Sequence, residues 1–170
     1  MNTQETTAAA GITLTPSDLL EQWQGHRALT RRVIEAFPEE KLFTYTIGGM
    51  RPFGELAAEL NQMAAPGAHG VATRQWIELK DLAKEEGLDV APKTKAGILE
   101  LWDWTTTHMN KIWEKLEPGR FQESDLAFGM YEGKVWWLCL YFIDNEIHHR
   151  GQGYVYLRSL GIAPPPFWER

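Results

Sequence analysis

Apolar residues recur at helical spacing in four stretches of the chain, and turn-forming residues separate those stretches. In the first, Leu19, Leu20, Trp23, Leu29, Val33 and Phe37 supply apolar faces. Thr15-Pro16-Ser17-Asp18 offers a capping hydroxyl, a proline at the first helical position and an acid in the first turn. The pattern predicts a helix over residues 16–36, closed by Pro38. Residues 41–49 read as a loop with some extended character. A second helix is expected to start near Pro52 and to carry Leu56, Leu60 and Met63, with Pro66-Gly67 stopping or kinking it.

Residues 71–86 are helix-compatible but weaker, and 87–92 form a connection. Thr94 caps a third helix over 94–117, ended by Pro118-Gly119. Residues 120–133, with Gly129 and Gly133, read as a loop. A fourth helix spans 134–160, stops at Gly161 and is followed by the stiff segment Pro164-Pro165-Pro166. Four helices without convincing strand alternation or repeats predict an all-α four-helix bundle. The long linker after the second helix predicts a crossover connection. One domain over 15–170, preceded by a flexible tail of residues 1–14, is expected.

Composition narrows the function classes. At 170 residues, with 44% hydrophobic content and eight Trp, the chain can bury a substantial core. A net charge of −6, with no basic stripe, argues against a nucleic-acid partner. Polymerase and nuclease chemistry is disfavoured by the lack of a carboxylate cluster suited to two metals. The single cysteine, Cys139, excludes an internal disulfide and lies in an apolar run, as an inert buried thiol would. No membrane span and no signal peptide are read, so a cytoplasmic location is expected. Trp102, Trp104, Trp113, Trp136 and Trp137 fall at helical spacing and read as core or interface packing.

The chemistry concentrates in Asp144-Asn145-Glu146-Ile147-His148-His149-Arg150-Gly151-Gln152. Polar groups inside an apolar helix are costly to bury without partners. One inward seam runs Leu138, Phe142, Asn145, His149, Gln152, Tyr156, Leu160, placing Asn145 and His149 together. Glu146 and His149 also form a Glu-x-x-His pair, a spacing used in carboxylate-bridged metal sites. On the second helix Glu59 stands amid Ala57, Ala58 and Leu60; it forms either a solvent-facing stripe or the partner of Asn145 and His149. Imidazole and carboxylate donors together suit zinc, nickel, iron or manganese, whereas a carboxamide is a poorer ligand. His148 projects about 100° away from His149 and reads as an outer partner. His108 reads as a surface or satisfied structural histidine, and His26 and His69 as exposed. Arg150 is expected to pair with an acid on a neighbouring helix, and Gly151 and Gly153 to admit a close neighbour.

The run His148-His149-Arg150-Gly151-Gln152, continued by Tyr156-Leu157-Arg158 and Leu160-Gly161, resembles the C-terminal signature of the DinB/YfiT-like superfamily. Gly48-Gly49-Met50-Arg51-Pro52-Phe53-Gly54-Glu55-Leu56 looks like that family's entry into its second helix. The resemblance implies a four-helix bundle, often dimeric, with a divalent metal on three histidines: one from the second helix and two, four apart, from the last. Characterised relatives include transferases and isomerases that use low-molecular-weight thiols, and others are named for DNA-damage induction. His149 matches the last ligand, whereas Asn145 and Glu59 stand where the other two histidines belong. The site is then either altered and oxygen-richer (Glu59, Asn145 and His149, with Glu146 as a further candidate) or one that no longer binds metal firmly.

Two functions follow as expectations. In one, the chain is a metal-dependent enzyme, thiol transferase-like or hydrolase-like, with Glu146 or His148 as the base beside the metal site. In the other, it is a non-catalytic, stress-associated homodimer in which Glu59 accepts from His149, Asn145 bridges, and no ion is needed.

Overall fold

The computed structural model describes residues 14–170. The expected tail lies outside these residues, apart from Leu14. The first helix, α1, spans Pro16–Ala36, and its predicted N-cap Thr15 and first-turn Asp18 close a capping box: Asp18 N donates to Thr15 Oγ1 at 3.2 Å, and Thr15 N donates to Asp18 Oδ2 at 2.8 Å. A short helix α2, Glu39–Leu42, opens the stretch expected as a loop. Helix α3 then runs Phe53–Thr73, the crossover contains the single turn α4 (Leu79–Leu82), and α5 covers Lys95–Trp113. Strands β1 (Ser124–Ala127) and β2 (Tyr131–Lys134) precede α6, Val135–Ser159. Among the described residues no helix is long and apolar enough to cross a membrane.

Two sequence expectations are revised for identifiable reasons. Pro66 does not stop α3, which continues to Thr73, although a mid-helix proline costs about 3 kcal/mol in isolation. Packing compensates. A Cβ on Gly67 would lie 2.7 Å from the Phe142 ring, and one on Gly70 would lie 2.1 Å from the Trp76 ring. These glycines, with buried Ala64, Ala65 and Ala68, let large rings press against the helix backbone. The predicted loop at 120–133 contains the β1–β2 hairpin, paired antiparallel with Asp125 opposite Gly133 and Leu126 opposite Glu132. Buried Arg120 ties this hairpin to the end of α3. It donates to Val71 O at 2.9 Å and Gly70 O at 3.2 Å, and forms ion pairs with Glu123 and Asp125. Open carbonyls at a helix C-terminus favour such a cation.

The interior has two apolar halves. One contains Leu19, Trp23, Ala68, Met109, Trp113 and Phe142, and the other contains Val33, Phe37, Leu60, Ile98, Trp102 and Leu157. Between them each long helix contributes buried polar groups: His26, Arg27 and Thr30 from α1, Asn61 from α3, Thr105 from α5, and Glu146, His149 and Arg150 from α6. Along the chain α1 and α6 pass from the first half to the second, whereas α3 and α5 pass from the second to the first. The helices therefore run up, down, down, up, and the α3–α5 connection is the predicted crossover. The chain is an all-α four-helix bundle carrying a small hairpin.

Candidate functional site

Glu59 and His149 meet between α3 and α6. Glu59 Oε1 lies 3.1 Å from His149 Nε2, and its second oxygen is ion-paired with Arg51. Burial alone would raise the Glu59 carboxyl; the Arg51 hydrogen bond and the His149 and Arg51 charges more than offset it, holding it below the usual range. On the far side of the ring, Gln152 Oε1 lies 3.0 Å from His149 Nδ1. An amide oxygen only accepts, so as placed Gln152 Oε1 would take a hydrogen bond from an Nδ1–H, and Glu59 Oε1 accepts where Nε2 carries the proton. Asn145, half-buried one turn before His149, does not bridge the pair: its Nδ2 is buried without a hydrogen-bond partner.

This centre opens into a cleft of about 300 Å³, lined in part by Glu59 and Asn145. Met63 and Phe142 form part of its apolar surface, and Phe128, Tyr131, Trp137 and Tyr141 form an aromatic wall. The hairpin supplies Phe128 and Tyr131, so the segment absent from the sequence-level fold shapes the cleft.

Other predicted residues lie elsewhere. Glu146, expected as a base beside the metal site, turns toward α1 and is buried. Its Oε1 accepts from Thr30 Oγ1 at 2.7 Å, and Oε2 lies 3.8 Å from Arg27 Nη1. Burial raises its carboxyl despite opposition from Arg27, Thr30 and Arg150. His148 is exposed; its ring lies edge-on to that of His149, centroids 5.0 Å apart, and Gln152 Nε2 is 3.4 Å from its Nε2. Among the described residues Arg150 pairs with no acid on a neighbouring helix; it donates to His26 O at 3.2 Å and Thr30 Oγ1 at 3.3 Å, with His26 Nδ1 at 3.0 Å.

His26 is buried, not exposed, and burial with the Arg150 and Arg170 charges lowers it to about 4. His69 is half-buried and stacks on His108, centroids 5.6 Å apart; His108 also stacks on Trp104 at 5.0 Å. Gly153 receives the Phe53 ring, whereas nothing lies within 4 Å of a Cβ on Gly151. Trp102 and Trp113 are core residues, whereas Trp136 and Trp137 are 40% and 47% exposed. Cys139 is fully buried, and burial pushes its thiol up. Sequence reasoning gave no role to Arg51, which is eight residues before Glu59 and outside the helix, where periodicity carries no signal.

The donor set departs from three histidines. Among the described residues, no three His, Cys, Asp or Glu side chains gather to hold one ion. Glu59 Oε1 and His149 Nε2 are strong donors, and their 3.1 Å separation is close to the roughly 3.3 Å edge of a tetrahedral site with bonds of about 2.0–2.1 Å. Asn145 lines the same cleft as Glu59, and a carboxamide can ligate a cation only through its oxygen, whereas the atom left buried without a partner is Nδ2. The chemistry of the pair supplies two strong donors for a divalent ion, and Asn145 could add at most one weak oxygen.

The fold and site together define an all-α bundle with a carboxylate–imidazole centre at the head of a small-molecule-sized cleft. The chain belongs to the DinB family, whose family model matches residues 1–170. Its fold is similar to that of the DinB-like protein YjoA of Bacillus subtilis, with a TM-score of 0.69 and 18% identity over 89% of this chain and 97% of that one. A DinB-like protein of Bacillus cereus also has a TM-score of 0.69, with 17% identity over 88% and 95% of the two chains. No curated protein matches the chain.

Proposed function

We propose that this chain is a metal-assisted enzyme acting on a small molecule, with Glu59, Asn145 and His149 as the residues that would hold a divalent ion (zinc, nickel, iron or manganese). The carrying observation is the convergence of Glu59 Oε1 and His149 Nε2 at 3.1 Å, beside an Asn145 amide that no protein group satisfies. Arg51 fixes the carboxylate, and Gln152 fixes the imidazole plane. When bound, the ion would act as a Lewis acid, lowering the pKa of a thiol or water. Thiol transfer or hydrolysis is the corresponding reaction class. Elemental analysis of protein purified without a histidine tag tests the proposal. A stoichiometric transition metal lost in both Glu59→Ala and His149→Ala supports it. Metal-free protein whose melting temperature ignores added zinc, nickel and manganese defeats it.

A metal-free, non-catalytic role is favoured by a different observation. Both Glu59 oxygens and both His149 nitrogens already have protein partners, so the pair can serve as a cross-link between α3 and α6. That role predicts a loss of melting temperature in Glu59→Ala, with no metal in either protein. Homodimerisation, implied by the family resemblance, is part of the proposal; sedimentation velocity that finds only monomer removes it.

A further inference from the structure

We propose that the cleft beside Glu59 and Asn145 takes the aromatic or similarly apolar body of a neutral substrate with one polar end, and does not take a polyionic thiol. The inference deepens the proposed function and rests on it only for where the substrate's polar end lies. At about 300 Å³ the cleft is at the lower end of the ~300–1,000 Å³ typical of small-molecule sites. Its apolar surface is assembled from three elements: Met63 on α3, Phe128 and Tyr131 on the hairpin, and Trp137, Tyr141 and Phe142 on α6. Trp137 and Tyr141 stack with centroids 6.2 Å apart, yet each remains 47% exposed, leaving aromatic surface open to a ligand.

Charge then sets the selectivity. Among the described residues Glu59 is the only charged side chain lining the cleft, and no Lys or Arg lines it. Arg51 and His149 answer the Glu59 charge from outside that lining. A polyanionic thiol placed in the cleft would bring its carboxylates toward Glu59 with no lining cation among the described residues to receive them. A neutral molecule incurs no such cost, and its polar end would lie at the Glu59 and Asn145 end of the lining, where the polar side chains stand.

The hairpin tip contributes to the aromatic wall at a backbone cost. Phe128 adopts φ 54°, a left-handed conformation that bulky residues rarely take and that glycine would accept freely. Its ring packs edge-on to Trp76 at 5.2 Å and to Phe142 at 6.4 Å. The strained backbone thus presents an aromatic ring to the cleft.

Equilibrium dialysis and ligand-observed NMR with 2-naphthol and glutathione test the proposal on full-length protein as purified. Saturable 2-naphthol binding is expected, weakened at least tenfold in Tyr141→Ala, with no glutathione bound in competition. Tyr141 is half exposed, so an unchanged melting temperature separates lost binding from lost fold. Three outcomes overturn the proposal: no saturable 2-naphthol binding, binding indifferent to Tyr141→Ala, or glutathione displacing 2-naphthol. Self-association abolished by Tyr141→Ala would assign the wall to a second copy and also overturn it. Metal content of the same preparations decides the proposed function separately: metal-free protein that still binds 2-naphthol defeats that function and keeps this specificity.

Discussion

The Phe142 ring occupies the space that a side chain on Gly67 would need, 2.7 Å from the position of its Cβ. This contact joins α3 to α6 at the cleft and stacks Phe142 on Trp23, centroids 6.0 Å apart. Gly67→Ala would therefore force the ring or a helix to move, although alanine is the better helix former. Overpacking of this kind costs about 1–3 kcal/mol, more than the roughly 1 kcal/mol gained in propensity. Urea unfolding should show a net loss for Gly67→Ala. Gly151→Ala, where a Cβ meets nothing, should instead gain about 0.5–1 kcal/mol.

Glu146 is the acid of the buried polar layer, and its loss should be costly to the fold. It faces Arg27 and accepts from Thr30, and both neighbours are fully buried. Glu146→Gln retains most of the shape but removes the buried carboxylate that faces Arg27 and whose charge also stabilises Arg150. Breaking one side of a buried pair costs about 3–5 kcal/mol, whereas Thr30→Ala removes one charge-assisted hydrogen bond, worth about 1.5–3 kcal/mol. Chemical denaturation should rank the variants in that order. Metal content, if any, should be the same in both, because neither residue touches Glu59 or His149; a selective loss of metal in Glu146→Gln would bring Glu146 back into the centre.

Acid should destabilise the protein between pH 6.5 and about 4. Burial, with nearby positive charge, lowers His26 and His108 to about 4 and lowers His69 in the same direction. Unfolded histidines titrate near 6.5, so in this window the unfolded chain binds protons that the folded one refuses. Their contribution is complete above pH 6.5 and lost as pH falls toward 4. Glu146, raised by burial, has the opposite slope above its unfolded value of 4.5, but it is one group against three. Free energies from urea unfolding at pH 5 and pH 7.5 check the sign. In His108→Phe the pH slope should flatten by less than about 1.4 kcal/mol per pH unit, since the ring is partly screened by solvent. A wild-type stability that is flat or rising toward pH 5 contradicts the assignment.

What the sequence revealed was what local chemistry controls. Thr15 and Asp18 lie three residues apart, and their capping box starts α1 at the predicted position. Asn145 and His149 share a seam because helical spacing places them together, and the long linker made the crossover legible. The misreadings were non-local. Pro66 survives in α3 because Phe142 and Trp76, distant or outside the helix, fill the spaces at Gly67 and Gly70. The hairpin lacks clean alternation and is held by Arg120 reaching back to Gly70 and Val71. Glu146 was assigned toward His149 by spacing alone, whereas its direction is set by Arg27 and Thr30, more than a hundred residues earlier.

Position 145 separates a weak metal site from a strong one. Asn145 offers a neutral amide, half-buried beside the cleft and without a protein partner. Asn145→His would place a second imidazole one helical turn before His149, the spacing implied by the family resemblance, with Glu59 already 3.1 Å from His149 Nε2. Three strong donors then meet the usual requirement of a catalytic zinc site, which two and an amide do not. Changes to partners that merely orient metal ligands typically shift affinity 10–100-fold, so a new direct ligand should tighten zinc binding by at least about tenfold. Competition with a chromophoric chelator measures this directly. Asn145→Leu should weaken binding without unfolding the bundle, since the amide makes no hydrogen bond to lose. Equal zinc affinity in wild type, Asn145→His and Asn145→Leu would show that position 145 does not face the ion.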